Sequence, residues 1–237
     1  MNLYILVEGK SEKYIYPAWL KQLLPDLIQV NNHNEVENQN YYLFSCQGYP
    51  SILDDIGNAI DDIKLSNKYD YLMVILDADD VAVDDRRAEV LNEVKKHNFD
   101  LSKILVVVQN HCIETWCLGN QRVYSRNPTT IEFINCADFY CVRENDPEFM
   151  GLDGNVTQIS TTATYHEYYL SKMLLERNTS YSKGKRSKAV QDPGYLSQML
   201  QRIDSTTHLN SFREFISIIG GLSQEIRTRK MTAASEN

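Results

Sequence analysis

Residues 71–79 read YLMVILDAD and carry the strongest structural signal in this sequence. The run from Tyr71 to Leu76 is apolar on both alternating faces, which is typical of a strand buried within a parallel sheet. Two carboxylates, Asp77 and Asp79, lie directly after it, at its carboxyl end. Ligands of parallel α/β sheets bind where the strands end, so we expect Asp77 and Asp79 to belong to a functional site.

Strand-like and helix-like segments alternate on both sides of this run. Their βαβαβαβα order predicts an α/β fold, with a mostly parallel, Rossmann-like sheet flanked by helices. Ser11 is expected to cap the first helix through its side chain. A last strand is predicted at Phe139–Val142. The other predicted strands are Leu3–Val7, Tyr41–Cys46, Tyr69–Leu76 and Ile104–Val108, and the helices between them begin near Ser11, Pro50, Val83 and Ile113.

The C-terminal part of the chain has a different pattern. Helical spacing predicts helices over 165–178, 194–203 and 209–219, with a basic loop at 180–188. The end beyond Arg229 is expected to fray. We therefore predict an α/β domain over residues 1–145 and a mainly helical extension over residues 146–237 that packs on it.

The composition is that of a globular protein with an acidic balance. The 237 residues are 43% hydrophobic and 24% charged, and the net charge is −8. No run approaches the ~18 apolar residues of a membrane helix, and no basic leader precedes the first strand. We therefore expect no membrane contact and a cytoplasmic location.

The five cysteines form no CxxC, which favours reduced thiols. The alternative is a zinc site formed by Cys112, Cys117, Cys136 and Cys141.

The charge is unevenly distributed along the chain. Residues 1–150 contain 13 basic and 24 acidic residues, whereas residues 151–237 contain 11 and 8. A net negative chain does not bind nucleic acid through bulk charge, so we expect local phosphate contacts from the basic loop. The alternative is a solvated loop without a ligand. The cations of the loop are Lys183, Lys185, Arg186 and Lys188.

Further carboxylates lie after the other predicted strands. Glu8 is the first residue after the first strand, and Glu114 lies one turn into the helix after the fourth. Carboxylates that meet at one sheet edge repel one another unless a cation neutralises them, and oxygen ligands select Mg²⁺ or Mn²⁺. Such ions bind phosphate, which predicts phosphoryl transfer or phosphodiester cleavage. Gly9 would allow the backbone to approach a phosphate closely. The alternative is that these acids only cap helices.

Two motifs carry a resemblance to a known family. LVEGKSE at 6–12 and ILDAD at 75–79 resemble the Toprim domain, which has a Glu after its first strand and Asp-x-Asp after a later one. The first motif is most similar to the OLD-family nucleases and to the short stand-alone Toprim proteins of the DUF4276-like group. IETW at 113–116 is similar to a helix of that group. The resemblance implies a Toprim-like fold over residues 1–145.

The resemblance also implies a metal site. Glu8 would be a metal ligand or the general acid–base group, and Asp77 and Asp79 would be metal ligands. Glu12 and Glu114 would serve a second ion. The cofactor would be Mg²⁺ or Mn²⁺, as one or two ions.

The activity that the resemblance implies is hydrolysis of phosphodiester bonds in DNA or RNA. OLD proteins carry an ATPase domain, but this sequence has no G-x-x-x-x-G-K-[ST], so the ATPase would be a separate partner. The expected role is an effector in bacterial anti-phage defence, and a homo-oligomer is a further expectation. Lys183 or Lys185 would be the catalytic lysine. Contacts to nucleic acid would come from Lys10, Lys183, Lys185, Arg186 and Lys188.

Two other functions fit part of the pattern. A phosphatase of the haloacid dehalogenase type also has Asp-x-Asp after a buried strand and would use Asp77 as nucleophile. Asp80 stands where that family has Thr or Val, and this function does not explain Glu8 and Gly9. A non-catalytic interaction subunit is the third hypothesis.

Several aromatic residues and histidines are expected to be structural. Trp19 and Trp116 have the positions of core residues. His111 and His166 could act near the site, but an isolated histidine is more often structural. Four tyrosines near the basic loop either stack on bases or pack in the core, and their spacing favours the core. They are Tyr165, Tyr168, Tyr169 and Tyr181.

Overall fold

A computed structural model describes residues 1–184 and 187–235, which form a five-stranded sheet in which every strand pair is parallel. The strand order β2-β3-β1-β4-β5 places β1 at the centre, between β3 and β4. The α/β fold with a parallel sheet is therefore confirmed. The strands are β1 (Leu3–Val7), β2 (Ile28–Val30), β3 (Asn40–Ser45), β4 (Tyr71–Asp77) and β5 (Ile104–Gln109).

The register of the central strands brings their carboxyl ends to one edge of the sheet. Val7 pairs with Ile75, and Asp77 pairs with Gln109. The backbone N–H of Glu8 extends the first ladder by donating to the Ile75 carbonyl at 3.1 Å. The side chains located just beyond β1, β4 and β5 therefore share one edge, as parallel pairing requires.

Helices cover both faces of the sheet. Successive side chains of a strand point to opposite faces, so Leu3 and Ile5 enter one hydrophobic core while Tyr4 and Leu6 enter the other. The second core is covered by α2 and α3, and the first by α1 and the helices of the C-terminal half. The helices in the described residues are α1 (Glu12–Leu23), α2 (Ser51–Ser66), α3 (Val83–Lys96), α4 (Ile113–Cys117), α5 (Ile131–Phe139), α6 (Thr162–Leu175), α7 (Lys188–Gln191), α8 (Pro193–Ser205) and α9 (Asn210–Ser235).

The C-terminal helices agree with the sequence prediction except at the end of the chain. The helices predicted over 165–178, 194–203 and 209–219 correspond to α6, α8 and α9. The expected fraying beyond Arg229 is wrong for the described residues, because α9 continues to Ser235; residues 236 and 237 lie outside them. Side chains tie this end to the sheet layer: Arg229 donates to Asp70 at 2.7 Å, and Lys230 pairs with Asp26 at 2.7 Å.

The strand predicted at Phe139–Val142 is wrong. Phe139 ends α5, and the next carbonyl groups are bound by groups other than a neighbouring strand. The Tyr169 hydroxyl donates to the Tyr140 carbonyl at 2.8 Å, and the Cys141 carbonyl accepts from two backbone N–H groups of a turn. Val142 is fully buried, and Tyr140 and Cys141 pack against the first core, whereas Phe139 is exposed.

The buried residues match most of the sequence expectations. Trp19 and Trp116 are buried in the first core. All five cysteines, which lie within the described residues, are free, and Cys141 alone among them is half-buried rather than buried. The first core contains residues from both sides of residue 145, and the domain boundary at that position stays a prediction. No helix in the described ranges is long and apolar enough to cross a membrane.

Candidate functional site

Four carboxylates lie close together at the carboxyl edge of the sheet. We call them the carboxylate cluster: Glu8 after β1, Glu12 at the start of α1, Asp77 at the end of β4, and Glu114 in the first turn of α4. Glu12 and Glu114 are buried, whereas Glu8 and Asp77 are half-buried. The four groups interact electrostatically: desolvation raises the pKa of Asp77, and the charges of the other three carboxylates raise it further.

Glu8 is held by two backbone N–H groups. Its Oε2 accepts from the Asp77 N–H at 2.9 Å, and its Oε1 accepts from the Tyr49 N–H at 3.2 Å. Burial raises the pKa of Glu8, and the charge of Asp79 raises it further. The two amide hydrogen bonds oppose this rise, because they stabilise the carboxylate form. The predicted meeting of the β1 and β4 carboxylates is therefore present in the structure.

Asp77 has an unusual environment for a carboxylate. Its Oδ1 is buried and has no hydrogen-bond partner among the residues that the structure describes. Burial, and after it the charges of Glu12, Glu8 and Glu114, raises the pKa of Asp77 well above its usual range. A buried carboxylate oxygen without a partner is costly. A proton or a cation at Oδ1 would remove that cost.

Glu12 is fixed by the close approach of the backbone at Gly9. A Cβ at position 9 would lie 2.9 Å from Glu12 Oε2, so the absence of a side chain at Gly9 makes room for this carboxylate. Burial and the charge of Glu114 raise the pKa of Glu12 to about 7. The group that approaches the Gly9 backbone closely in the structure is therefore the Glu12 carboxylate, a member of the cluster.

Glu114 is anchored by the C-terminal half of the chain. The hydroxyl of Tyr181, itself buried, donates to Glu114 Oε1 at 2.7 Å.

Two of the other tyrosines predicted near the basic loop belong to the core. Tyr165 and Tyr169 are fully buried, which confirms the core assignment of these two residues. Tyr168 is half-buried, with the Lys172 ammonium 5.0 Å from its ring centre.

Lys183 places a cation beside the carboxylate cluster. Its Nζ lies 3.5 Å from Glu167 Oε2, and its side chain is half exposed, at 52%. Burial alone would lower the pKa of Lys183, but the charges of Glu114 and Glu167 outweigh it and raise the pKa above the ordinary value. Glu167 was not predicted from the sequence, because nothing in its α6 context distinguishes it from a solvated charge.

The segment that carries Lys183 is attached to the start of α1. The Gly184 N–H donates to the Ser11 side-chain oxygen at 3.0 Å. Ser11 is the N-cap residue of α1, as predicted, but its side chain makes no capping bond, because the side-chain oxygen accepts from Gly184 instead. Lys185 and Arg186, both predicted to contact nucleic acid, lie outside the described residues. Lys188 begins α7 and is exposed.

Asp79 and His111 lie beside the cluster, and both have a left-handed backbone conformation. The Asp79 backbone has φ of 53°, and His111 has φ of 62°. The two residues fix each other, because the Asp79 N–H donates to the His111 carbonyl at 2.9 Å and His111 Nδ1 binds the Asp79 carbonyl at 2.8 Å. Asp79 is half-buried and reaches the cluster electrostatically through Glu8.

His166 is a structural residue, as its sequence context indicates. It is fully buried, with Nδ1 2.7 Å from Thr115 Oγ1 and Nε2 2.8 Å from the Met150 carbonyl. Burial lowers the pKa of His166 to about 3. The imidazole is therefore neutral at neutral pH and links α4 to α6.

A buried arginine supports Glu8 from the side of α3. The Arg86 guanidinium carbon lies 3.8 Å from the Tyr49 ring centre, and Arg86 is 3% exposed. Glu89 binds both residues, at 2.8 Å from Arg86 Nη1 and 3.3 Å from the Tyr49 hydroxyl. Since the Tyr49 N–H donates to Glu8, Arg86 helps to position the cluster. This role was not predicted from the sequence, because arginines on helices are mostly exposed.

A cavity of about 790 Å³ opens beside the cluster. Its lining includes Lys10 and Lys13 and the backbone of Gly9, Gly48 and Gly184. Gly9 and Gly184 are chain neighbours of Glu8 and Lys183, so the cavity adjoins the candidate site. Its size suits a ligand of nucleotide dimensions. Lys10, which is predicted to contact nucleic acid, lies on its wall.

The donor chemistry of the cluster fits a hard cation. The cluster offers carboxylate oxygens alone, and Asp77 Oδ1 has no partner within the described ranges. Within residues 1–184 and 187–235, however, no group of three or more His, Cys, Asp or Glu side chains is arranged to hold a metal ion. Glu8 is already fixed by two N–H groups. Binding would therefore require rotation of neighbouring carboxylate side chains, namely those of Asp77, Asp79, Glu12 or Glu114.

Comparisons with known proteins do not assign a function to this site. No family model, no curated protein and no solved structure matches the chain. Function has to be inferred from the side chains at the sheet edge.

Proposed function

We propose that this chain is a metal-dependent nuclease that hydrolyses phosphodiester bonds of DNA or RNA at the carboxylate cluster. The observation that carries the proposal is Asp77 Oδ1, a buried carboxylate oxygen without a described partner, beside three further carboxylates. Burial and crowded like charges raise the pKa of Asp77, Glu12 and Glu8. A divalent cation would remove the repulsion and satisfy the free oxygen.

The proposed ligands are the carboxylates that come after β1 and β4. Glu8, Asp77 and Asp79 would hold one Mg²⁺ or Mn²⁺ ion, and Glu12 with Glu114 would serve a second. When bound, such ions supply Lewis-acid stabilisation of the phosphate and lower the pKa of a water molecule. The contribution of the chain is to fix Glu8 through two N–H groups and to keep the Oδ1 atom of Asp77 buried.

Lys183 is proposed as the catalytic lysine. Its half-exposed ammonium interacts with Glu114, Glu167 and Asp77, so it stays charged and close to the cluster. A substrate phosphate that enters beside the cluster would pair with this ammonium. Lys10 and Lys13 on the adjoining cavity would neutralise neighbouring phosphates.

The biological setting is proposed from the family resemblance. We propose a cytoplasmic effector of bacterial anti-phage defence that works with a separate ATPase and forms a homo-oligomer. Co-purification with neighbouring gene products tests the partnership. A lone monomer with high constitutive nuclease activity would contradict this form of regulation.

The nuclease proposal is tested by cleavage assays on single- and double-stranded DNA and RNA. Cleavage is expected with Mg²⁺ or Mn²⁺, and we expect it to stop on addition of EDTA. Equal cleavage in EDTA would contradict the proposal, as would no cleavage of any substrate with either ion by the chain together with the proteins that co-purify with it. Trapping of an aspartyl phosphate at Asp77 would instead support a phosphatase of the haloacid dehalogenase type.

A further inference from the structure

A second cavity, away from the carboxylate cluster, has a strongly basic lining. It measures about 590 Å³ and is formed by the segments around residues 121–127 and 143–144, together with Arg177 just after α6 and Gln198 within α8. Arg122, Arg126, Arg143 and Arg177 contribute to it, against one acidic residue, Glu144, among the described residues that line it. Four of the eleven arginines of an acidic chain thus converge on one surface. We call it the arginine groove.

Two of these arginines are not used by the fold. Arg122 and Arg126 are exposed, and within the described ranges their side chains have no hydrogen-bond or ion-pair partner. Arg177 is partly used: its Nε and Nη2 donate to the Val123 and Tyr124 carbonyls at 2.9 and 3.1 Å. Arg177 therefore fixes the loop that presents Arg122 and Arg126.

The lining points to a phosphate-bearing ligand rather than to a protein. Guanidinium groups are planar forks that bind phosphate oxygens in pairs. A protein interface would need an apolar centre, but the described lining is polar apart from Tyr124, which is buried. The space of about 590 Å³ is also more than one phosphate group fills.

The groove continues towards the segment that carries Lys183. An adjoining cavity of about 310 Å³ shares Arg122, Arg177 and Gln198 with it and reaches Thr179. Thr179 is four residues from Lys183, so their Cα atoms are at most about 14 Å apart. A ligand that extends along the groove would therefore approach the carboxylate cluster, which a mononucleotide in the cavity would not do.

We propose that the arginine groove binds consecutive phosphates of a nucleic-acid strand and guides that strand to the carboxylate cluster. This inference rests on the proposed nuclease function. The arginines of the groove would contact the sugar–phosphate backbone of the nucleic acid, and such contacts position a strand without selecting its sequence. DNA and RNA share this phosphodiester chemistry, and the test distinguishes them.

The test measures strand binding without cleavage. The full chain carrying Asp77→Asn is titrated in EDTA against labelled 20-nucleotide DNA and RNA strands by fluorescence anisotropy. Arg122→Gln with Arg126→Gln is the groove variant. The matched control is Lys95→Gln with Arg227→Gln, which removes the same charge from exposed side chains that do not line the groove.

We expect the groove variant to bind roughly tenfold more weakly, and its salt slope to fall by about 1.4 for two lost phosphate contacts. The control should bind like the parent, and the strand type that binds more tightly identifies the substrate. Equal binding by the groove variant and its parent would overturn the inference. Competition by a mononucleotide at the same concentration as the strand would also overturn it.

Cleavage by the chain with an intact Asp77 separates the two proposals. If the chain cleaves nucleic acid but the groove variant binds normally, the groove inference fails and the nuclease proposal stands. If strand binding depends on the groove but no metal supports cleavage, the nuclease proposal fails and the groove stands as a binding site.

Discussion

The carboxylate cluster and the arginine groove handle charge in opposite ways. In the cluster, acidic groups are withdrawn from water and crowd one another, which raises the pKa of Asp77, Glu12 and Glu8. In the groove, Arg122 and Arg126 are exposed, with no side-chain partner among the described residues. The first arrangement calls for a cation, and the second for an anion.

The difference shows why the net charge of −8 is a poor guide to ligands. Charge matters where it is desolvated or left unpaired, and both conditions are local. A phosphate strand between the two regions would meet guanidinium groups first and a cation held by carboxylates afterwards. Substitutions on each side of this contrast should therefore have distinct effects.

The largest effect is expected at Asp77. Asp77→Asn should lower metal-dependent cleavage roughly a hundredfold or more, because a central ligand is lost. The same substitution removes a buried charge, so the midpoint of thermal unfolding should be equal to or higher than that of the wild type. Cleavage assays and thermal melts measure the two effects.

The matched control for Asp77→Asn is Asp80→Asn, an exposed carboxylate three residues away. It should leave both activity and thermal stability unchanged. Full activity in Asp77→Asn would contradict the role of Asp77 as a metal ligand. An unfolded Asp77→Asn protein would contradict the claim that this carboxylate costs stability.

The second effect concerns His166 and tests whether burial keeps its imidazole uncharged. The unfolded chain protonates His166 near pH 6.5, but burial lowers the folded pKa to about 3. The folded state thus binds fewer protons between these values, and stability falls as pH falls. Lowering the pH from 7 to 5 should therefore reduce the free energy of unfolding by about 2 kcal/mol through His166.

Urea unfolding of the wild type and His166→Gln at both pH values measures this contribution. The raised carboxylate pKa values act with the opposite sign, because those groups gain protons in the folded state, but they are common to both proteins and cancel in the difference. Arg126→Gln, in the exposed groove, should leave the pH dependence unchanged. Equal pH dependence in His166→Gln and the wild type would contradict the buried neutral imidazole.

The third effect separates the cation of the cluster from the cations of the groove. Lys183→Met should lower kcat roughly tenfold with little change in KM, less than for a buried donor because the ammonium is half exposed. Lys95→Met, an exposed lysine of α3 that no site of the account includes, is the control. A change confined to KM would place Lys183 with the groove and remove its catalytic role.

The smallest effect is expected at Gly9. In Gly9→Ala the new Cβ would lie 2.9 Å from Glu12 Oε2, the flexible end of a side chain, so Glu12 should move at little cost in stability. Cleavage should fall severalfold because a cluster carboxylate is displaced. Gly154→Ala, where a Cβ meets no neighbouring atom within 4 Å, is the control. Unchanged cleavage in Gly9→Ala would show that the position of Glu12 does not matter for the reaction.

The sheet edge was accessible to prediction because it depends on local patterns. The apolar runs of β1, β4 and β5 identify buried parallel strands, and parallel pairing places the residues at their carboxyl ends on one edge. Glu8 and Asp77 are 69 residues apart in sequence, yet Glu8 Oε2 lies 2.9 Å from the Asp77 backbone nitrogen. Their meeting is a consequence of that rule alone.

The remaining features depend on tertiary packing that no local pattern encodes. Arg122 and Arg177 approach each other because α6 packs beside the 121–127 loop. Phe139–Val142 has the composition of a strand, but the Tyr169 hydroxyl binds the Tyr140 carbonyl that a neighbouring strand would need. The short strand β2 has no distinctive pattern, because its residues are exposed or half-buried.

The most direct measurement of the central claim is anomalous diffraction from crystals of the chain soaked in Mn²⁺. The account predicts an anomalous peak within coordination distance of Asp77 Oδ1 and a Glu8 oxygen, and its loss in Asp77→Asn crystals. The absence of a peak at the carboxylate cluster in crystals of a protein that still cleaves nucleic acid would contradict it.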